Sequence, residues 1–386
     1  MKPSQTRSRG FSLPELMVAV TIGLVLTLTI STVISRQESI RRGVTSSNDI
    51  TGNTAYAAYL LDRELRSAGS GISQVSQHNF GCPVAASLSN TQLLPSTAAF
   101  PAPFASVSQT FRLVPVVVFA GAGAGGSDVI AVAAGNSGLS EGGLPVVPQS
   151  AAAGQIQLRN TIGIKGGDLI LLSETGVGCM LQQVASPFTG GATQVLNLGG
   201  TYAADTINGV AITGFSKGNA AFVSLLGNTT GNPPRFMLFG ISSTGKLVSY
   251  DLLKLSGTGI QELVDGVVDM RVLYGIDTTT GGLTPQSQRQ VTGWVAPTDT
   301  NYTAATLTNG THASVIRLQG ILALRVGLVL RSDLAEKSDV APSSLTLFSD
   351  LDSSLQYTYT VPIGTTNQRY RVVEFTVPLR NIRYSR

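Results

Sequence analysis

The chain has 386 residues, enough to bury one large core or two modest ones. Only 12% of its residues are charged and 43 are glycine, set in long Ala, Ser, Thr and Gly tracts that fit an exported β-rich protein better than a cytosolic enzyme. The net charge of +4 is a local feature: of 26 basic and 22 acidic side chains, Lys2, Arg7 and Arg9 lie in the first ten residues, which hold no acid, leaving 23 against 22. In a body this close to neutral nothing suggests a nucleic-acid-binding surface, so no nucleic acid is directly predicted as a partner.

The first predicted element begins at "RGFSLPELMVAV". From Leu16 to Ser35 there is no Asp, Glu, Lys, Arg or His. Twenty such residues in a helix span about 30 Å, the hydrocarbon thickness of a bilayer. The basic residues ahead of this run orient its N-terminus toward the cytoplasm and the remainder across the membrane. Glu15 stands at its mouth, where a carboxylate is costly, about 2–3 kcal/mol nearer the bilayer centre. It therefore needs a partner, unless it rests among the lipid headgroups. Pro14 falls in the first turn, where its missing N–H is not required.

No small-residue cleavage site follows the apolar run. Instead Ile40, Val44, Thr51, Ala55, Ala58, Leu61 and Leu65 recur at spacings near three, four and seven, the period of an amphipathic helix. Gly43 and Gly52 weaken it by about 1 kcal/mol each relative to alanine. Gly69 and Gly71 are candidates to end it. Residues 11–68 are thus expected to form one helix of about 87 Å, its half 11–35 suited to lipid and its half 36–68 to water or protein.

Beyond the helix, Gly, Ser and Thr punctuation every 8–15 residues or so points to antiparallel strands, placing 69–386 in one enlarged head and the chain in the α+β class. A two-sheet head with the helix packed on one sheet is expected, with long loops over 84–160 and a further boundary near 200–215. Cys82 and Cys179 are the only cysteines. An even count behind an export signal favours a disulfide, with two buried free thiols as the alternative. His78 and His312 sit in loop-like settings and show no metal-ligand spacing with the cysteines.

"VPVVVFAGAGAGGSDVIAV" carries Gly121, Gly123 and Gly126 at G-x-G-x-x-G spacing after a strand-like run. A dinucleotide site requires a helix next. "VIAVAAG" follows and is β-like, so the segment reads as a loop between two strands. "RFMLFGISSTGKLVSYDLL" reads as two strands about a Ser-Thr-Gly turn, "ELVDGVVDMRVLYGID" as a strand ending at Tyr274-Gly275, and "YRVVEFTVPLRNIR" as a final strand. Asp265, Asp269 and Asp277 lack the spacing of an oxygen-ligand Ca2+ loop. Trp294 fits either a partly buried position or a recognition loop. No nucleophile elbow or H-E-x-x-H pair is present, so no enzyme and no cofactor is expected.

The N-terminal residues resemble the class III leader of type IV pilins and type II secretion pseudopilins: a short basic leader ending in Gly10, then Phe11, then Glu15 four residues later. Pro14 departs from the apolar residue usual before the glutamate. The resemblance implies cleavage between Gly10 and Phe11 by a prepilin peptidase, removal of residues 1–10, and N-methylation of Phe11. It also implies that Glu15 pairs with the N-terminal amine of a neighbouring subunit. "VDGVVDMRVLYGID", "ALRVGLVLRSD" and "FTVPLRN", in that order, together with "LLDRELRSAG" and "GDLILLS", resemble the PilW family of minor pilins. The stretches 84–160 and much of 185–235 match nothing nameable.

This second resemblance implies a minor pilin that primes type IV pilus assembly at the tip, serving motility, adhesion or DNA uptake through the pilus. Its implied partners are the prepilin peptidase, minor pilins of the PilV, PilX, FimU and PilE types, the major pilin and a PilY-type adhesin. The implied location is the inner membrane, head in the periplasm, and then the pilus tip. A head this large is hard to repeat along a packed fibre, which also favours a minor subunit. A GspJ-like pseudopilin and a membrane-anchored periplasmic binding module are the alternatives.

Overall fold

The computed structural model describes residues 10–137, 142–191, 193–255, 259–277 and 290–384. Lys2, Arg7 and Arg9 and the rest of the expected leader before Gly10 lie outside them. One 55-residue helix, α1 (Leu13–Ser67), runs through Gly43 and Gly52 without a break. It ends at Ala68, whose N–H returns to the Leu65 carbonyl at 3.1 Å, and Gly69 follows at φ +83° with its N–H on the Ala133 carbonyl. A β-carbon at Gly69 would lie 2.5 Å from Ser73 Oγ, so both conformation and space call for glycine there.

From Phe11 to Thr45 every residue whose side chain is described is exposed or nearly so. Burial by the head begins at Ser46 and continues through Ile50, Thr54, Ala57, Leu61, Glu64, Leu65 and Ala68. This stripe corrects the one read from hydropathy. Leu61 and Leu65 belong to it, but Thr51 and Ala55 face solvent, and Ile40 and Val44 are exposed before the seam begins. Ser46, Thr54 and Glu64 share the buried face with Ile50, Leu61 and Leu65, so apolarity alone places the stripe only in part.

Among the described residues the head has three main sheets rather than two. The first orders its six strands as Thr91–Leu94, Val84–Leu88, Gly178–Gln183, Asp168–Glu174, Ala221–Asn228 and Leu144–Pro145. One of its pairings, Val84–Leu88 with Gly178–Gln183, is parallel; the others are antiparallel. The second sheet runs Ile260–Asp265, Lys246–Asp251, Arg235–Ile241, Val129–Ala134 and Val116–Phe119. The third runs Gly293–Val295, Val267–Ile276, Ile321–Arg331 and Tyr370–Pro378. α1 lies against the second and third sheets.

Strand alternation explains how one chain builds two cores. In the first sheet Leu169, Leu171, Cys179 and Leu181 face the main core with α1, while Ile170, Leu172, Met180 and Val223 face a second cluster with Ile156, Leu158, Ile164, Leu196 and Phe215. The segment 200–215 lies on this second cluster, and its Thr206–Ile207 and Val210–Ala211 form a small hairpin.

The stretch read as one strand from Glu262 divides in two. Ile260–Asp265 ends the second sheet and Val267–Ile276 enters the third. Gly266 makes the change at φ +76°, and a β-carbon there would meet the Arg331 carbonyl oxygen at 2.6 Å. Gly266→Ala combines backbone strain with that clash and is expected to destabilise the head by about 1–3 kcal/mol, read as a lower urea midpoint for the full chain in detergent.

Candidate functional site

The sequence gives the N-terminus of α1 three features at once. Ser12 adopts an extended conformation at the N-cap, Pro14 occupies the first turn, and Glu15 stands three residues after the cap. Glu15 Oε2 accepts from the Ser12 N–H at 3.4 Å and the Ser12 hydroxyl at 3.3 Å, a long capping box. The S-L-P-E spacing encodes this partner, which the reading from charge placement missed. Phe11 is 80% exposed and Gly10 has open space around its α-carbon, so the Gly10–Phe11 bond is free of head contacts.

Along the apolar run the hydroxyls do not need water. Thr21, Thr27, Thr29 and Thr32 each donate to a carbonyl three or four residues back, at 2.6–3.0 Å. This is one helix long and apolar enough to cross a membrane. From Leu13 to Thr45 it extends about 50 Å before the head begins to cover it.

The C-terminal third of α1 is fastened by polar clamps as well as by packing. Arg371 donates to Thr51 Oγ1 at 2.9 Å, Asn53 to the Asp265 carbonyl at 3.2 Å, and Asn381 Nδ2 to the Ser67 and Ala68 carbonyls at 3.1 Å each. The last satisfies carbonyls that the helix end leaves open. Glu64, buried, is ion-paired with Arg235 on the second sheet and with Arg63 beside it. Glu64→Ala would leave Arg235 without that carboxylate and remove the buried anchor, a loss of roughly 2–3 kcal/mol read as a drop in thermal midpoint.

Cys82 and Cys179 are joined, with Cα atoms 5.8 Å apart, at the start of the parallel pairing where Val84 is opposite Cys179. His78 lies half-buried in a short helix, Ser76–Asn79, with Nδ1 3.2 Å from Thr175 Oγ1, and burial lowers its pKa. His312 opens the helix His312–Gly320 and is exposed. Both histidines are therefore helical rather than in loops. His78 and Cys82 line a cavity of about 300 Å3 with Arg112, and His312 is not part of it. Trp294 is half-buried on a strand, with the Arg325 guanidinium 6.0 Å from its ring centroid.

Gly121–Gly126 form the connection of an antiparallel hairpin, Val116–Phe119 with Val129–Ala134, so the strand after the glycines takes the place a dinucleotide-binding helix would need. The loop has another use. Gly121 N–H donates to Asp128 Oδ1 at 3.0 Å and Val272 N–H to Oδ2 at 3.0 Å. Burial nonetheless pushes the Asp128 carboxyl up to about 6. A folded-state value above the unfolded one means that ionisation favours unfolding. The contribution of Asp128 is most favourable below pH 4 and is lost as pH rises toward 6, by on the order of 3 kcal/mol. Asp128→Asn is therefore expected to flatten the pH dependence of the unfolding midpoint between pH 4 and 6.

The geometry defines a class: a bare apolar helix with a prepilin-type start, fastened at its far end to a β-rich head. Residues 5–31 match the prokaryotic N-terminal methylation motif. Residues 242–381 match the type IV pilus-assembly protein W, PilW. Both resemblances drawn from the sequence are thus met, and together they support a minor pilin of the type IV pilus. No curated protein and no solved structure matches the chain. The PilW segment supplies all four strands of the third sheet and the residues Asp265, Arg371 and Asn381 that clamp α1. The first sheet and its second cluster lie outside the matched segment.

Proposed function

We propose that this protein is a minor pilin that primes type IV pilus assembly from the tip. Prepilin peptidase cuts between Gly10 and Phe11, Phe11 is N-methylated, and the mature subunit waits in the inner membrane with its head in the periplasm. On assembly the bare half of α1 passes from lipid into a bundle of neighbouring helices, an exchange that is nearly neutral hydrophobically. Pairing of Glu15 with a neighbour's N-terminal amine then sets the register, since two charges that are separately costly in lipid offset one another. The observation that carries this reading is the bare apolar helix with a single carboxylate at its start, beneath a head whose burial of α1 begins only at Ser46.

A three-sheet head with a second hydrophobic cluster is bulky for a subunit repeated along a fibre, which supports a place at the tip beside PilV, PilX, FimU and PilE types and a PilY-type adhesin. Motility, adhesion and DNA uptake are then properties of the pilus, and the chain performs no chemistry itself. The test is mass spectrometry of sheared surface pili. A chain beginning at methylated Phe11 in that fraction, with pili scarce in the deletion strain, is the expected result. Mature chain confined to the envelope, with normal pili and failed exoprotein secretion, would assign it to a secretion pseudopilus instead.

A further inference from the structure

Two carboxylates and one guanidinium meet beside a cavity of about 340 Å3, walled by Gly121, Asp128, Arg271, Thr298, Phe348 and Tyr357 among others. Asp128 and Asp269 are 4% and 3% exposed. Asp269 accepts from Arg271 Nε and from the Met270 N–H at 2.8 Å, and Arg271 Nη2 donates to the Tyr357 hydroxyl at 2.6 Å, its guanidinium lying 3.8 Å from that ring's centroid. Arg271 is therefore engaged on the side of Asp269 and Tyr357. Asp128, the carboxylate that lines the cavity, has Arg271 no nearer than 3.7 Å. Among the described residues no other cation comes within ion-pair reach of either carboxylate.

With both carboxylates ionised, the cluster carries one negative charge more than the shared guanidinium balances, and a buried charge is stabilised by a counter-charge. A hard metal ion fits poorly, because each Asp128 oxygen already accepts a backbone N–H and no group of three or more His, Cys, Asp or Glu among the described residues stands ready to complete a coordination shell. An organic cation asks for less: one carboxylate and a partly apolar wall, here including Phe348, Leu355 and Tyr357. We propose that this cavity binds a small organic cation bearing an ammonium or guanidinium group, with Asp128 as its counter-ion.

The test uses the full mature chain in nanodiscs, with putrescine and agmatine as probes, 1,4-butanediol as the neutral control and CaCl2 as the metal arm, followed by calorimetry and saturation-transfer NMR. Either cationic probe is expected to bind and the diol is not, with affinity falling at least tenfold in Asp128→Asn. Thr298 is exposed at the cavity wall. Thr298→Arg leaves the core untouched and should abolish probe binding by supplying a tethered guanidinium, while raising the thermal midpoint; it also decides the matter if Asp128→Asn fails to fold. Absence of binding by both cations, unchanged binding in either folded variant, or binding of Ca2+ in their place would overturn the proposal.

Discussion

Cells carrying Glu15→Ala as their only copy of this protein are expected to show surface pili reduced at least tenfold, with the protein itself still folded and present in the membrane. Among the described residues Glu15 makes only the long capping contacts to Ser12, at 3.3 and 3.4 Å, and losing a cap costs about 1 kcal/mol. On the proposed pairing the loss among assembled helices is larger, because a neighbour's amine would be left buried without its carboxylate, a penalty of about 3–5 kcal/mol. Glu15→Gln separates the two roles: it keeps a hydrogen-bond acceptor at the cap and removes the charge. Pili restored to normal by Gln would assign Glu15 to capping. Pili lost equally in both variants would assign it to pairing between subunits.

Cys82→Ser or Cys179→Ser is expected to lower stability by about 4–5 kcal/mol, because the bridge closes a loop of 97 residues and removes its entropy from the unfolded chain. The local geometry makes the loss specific. The parallel pairing that the bridge anchors is only two residue pairs long, Val84 with Cys179 and Ala85 with Met180. Without the bridge the Val84–Leu88 and Thr91–Leu94 strands are held to the first sheet only by that short pairing and their packing. Limited proteolysis should therefore cut first between residues 84 and 115, before the third sheet is attacked. Cleavage beginning elsewhere, or a midpoint unchanged from that of the oxidised wild-type chain, would contradict this.

Much of the architecture was legible because it rests on simple periodicity. The charge-free run from Leu16 to Ser35 gives the membrane-length helix, and Gly121–Gly126 were separable from a nucleotide loop because "VIAVAAG" cannot supply a helix. The illegible parts share one cause: the decisive contact is long-range and made by residues without a strong local signal. Ser46 and Thr54 lie in the buried stripe of α1 although neither is apolar. Gly266 separates two sheets inside what alternation presents as one strand. Asp269, a polar residue inside an apolar strand, is buried against Arg271, and its neighbour Asp128 comes from a hairpin far earlier in the chain. The S-L-P-E cap is local and readable in the spacing, but it coincides with a lone charge beside an apolar run, which carries the stronger signal.

The attachment of α1 also sets how the molecule would carry load. The buried stripe and the clamps that fasten helix to head lie between Ser46 and Ala68, spread over about 33 Å of helix axis. A pull on the bare apolar half acts along that axis, so the Thr51, Asn53 and Glu64 contacts are loaded together in shear instead of being peeled one after another. In a retracting filament the head would then behave as a rigid end-fitting, and its seam would yield only when all of those contacts slide at once.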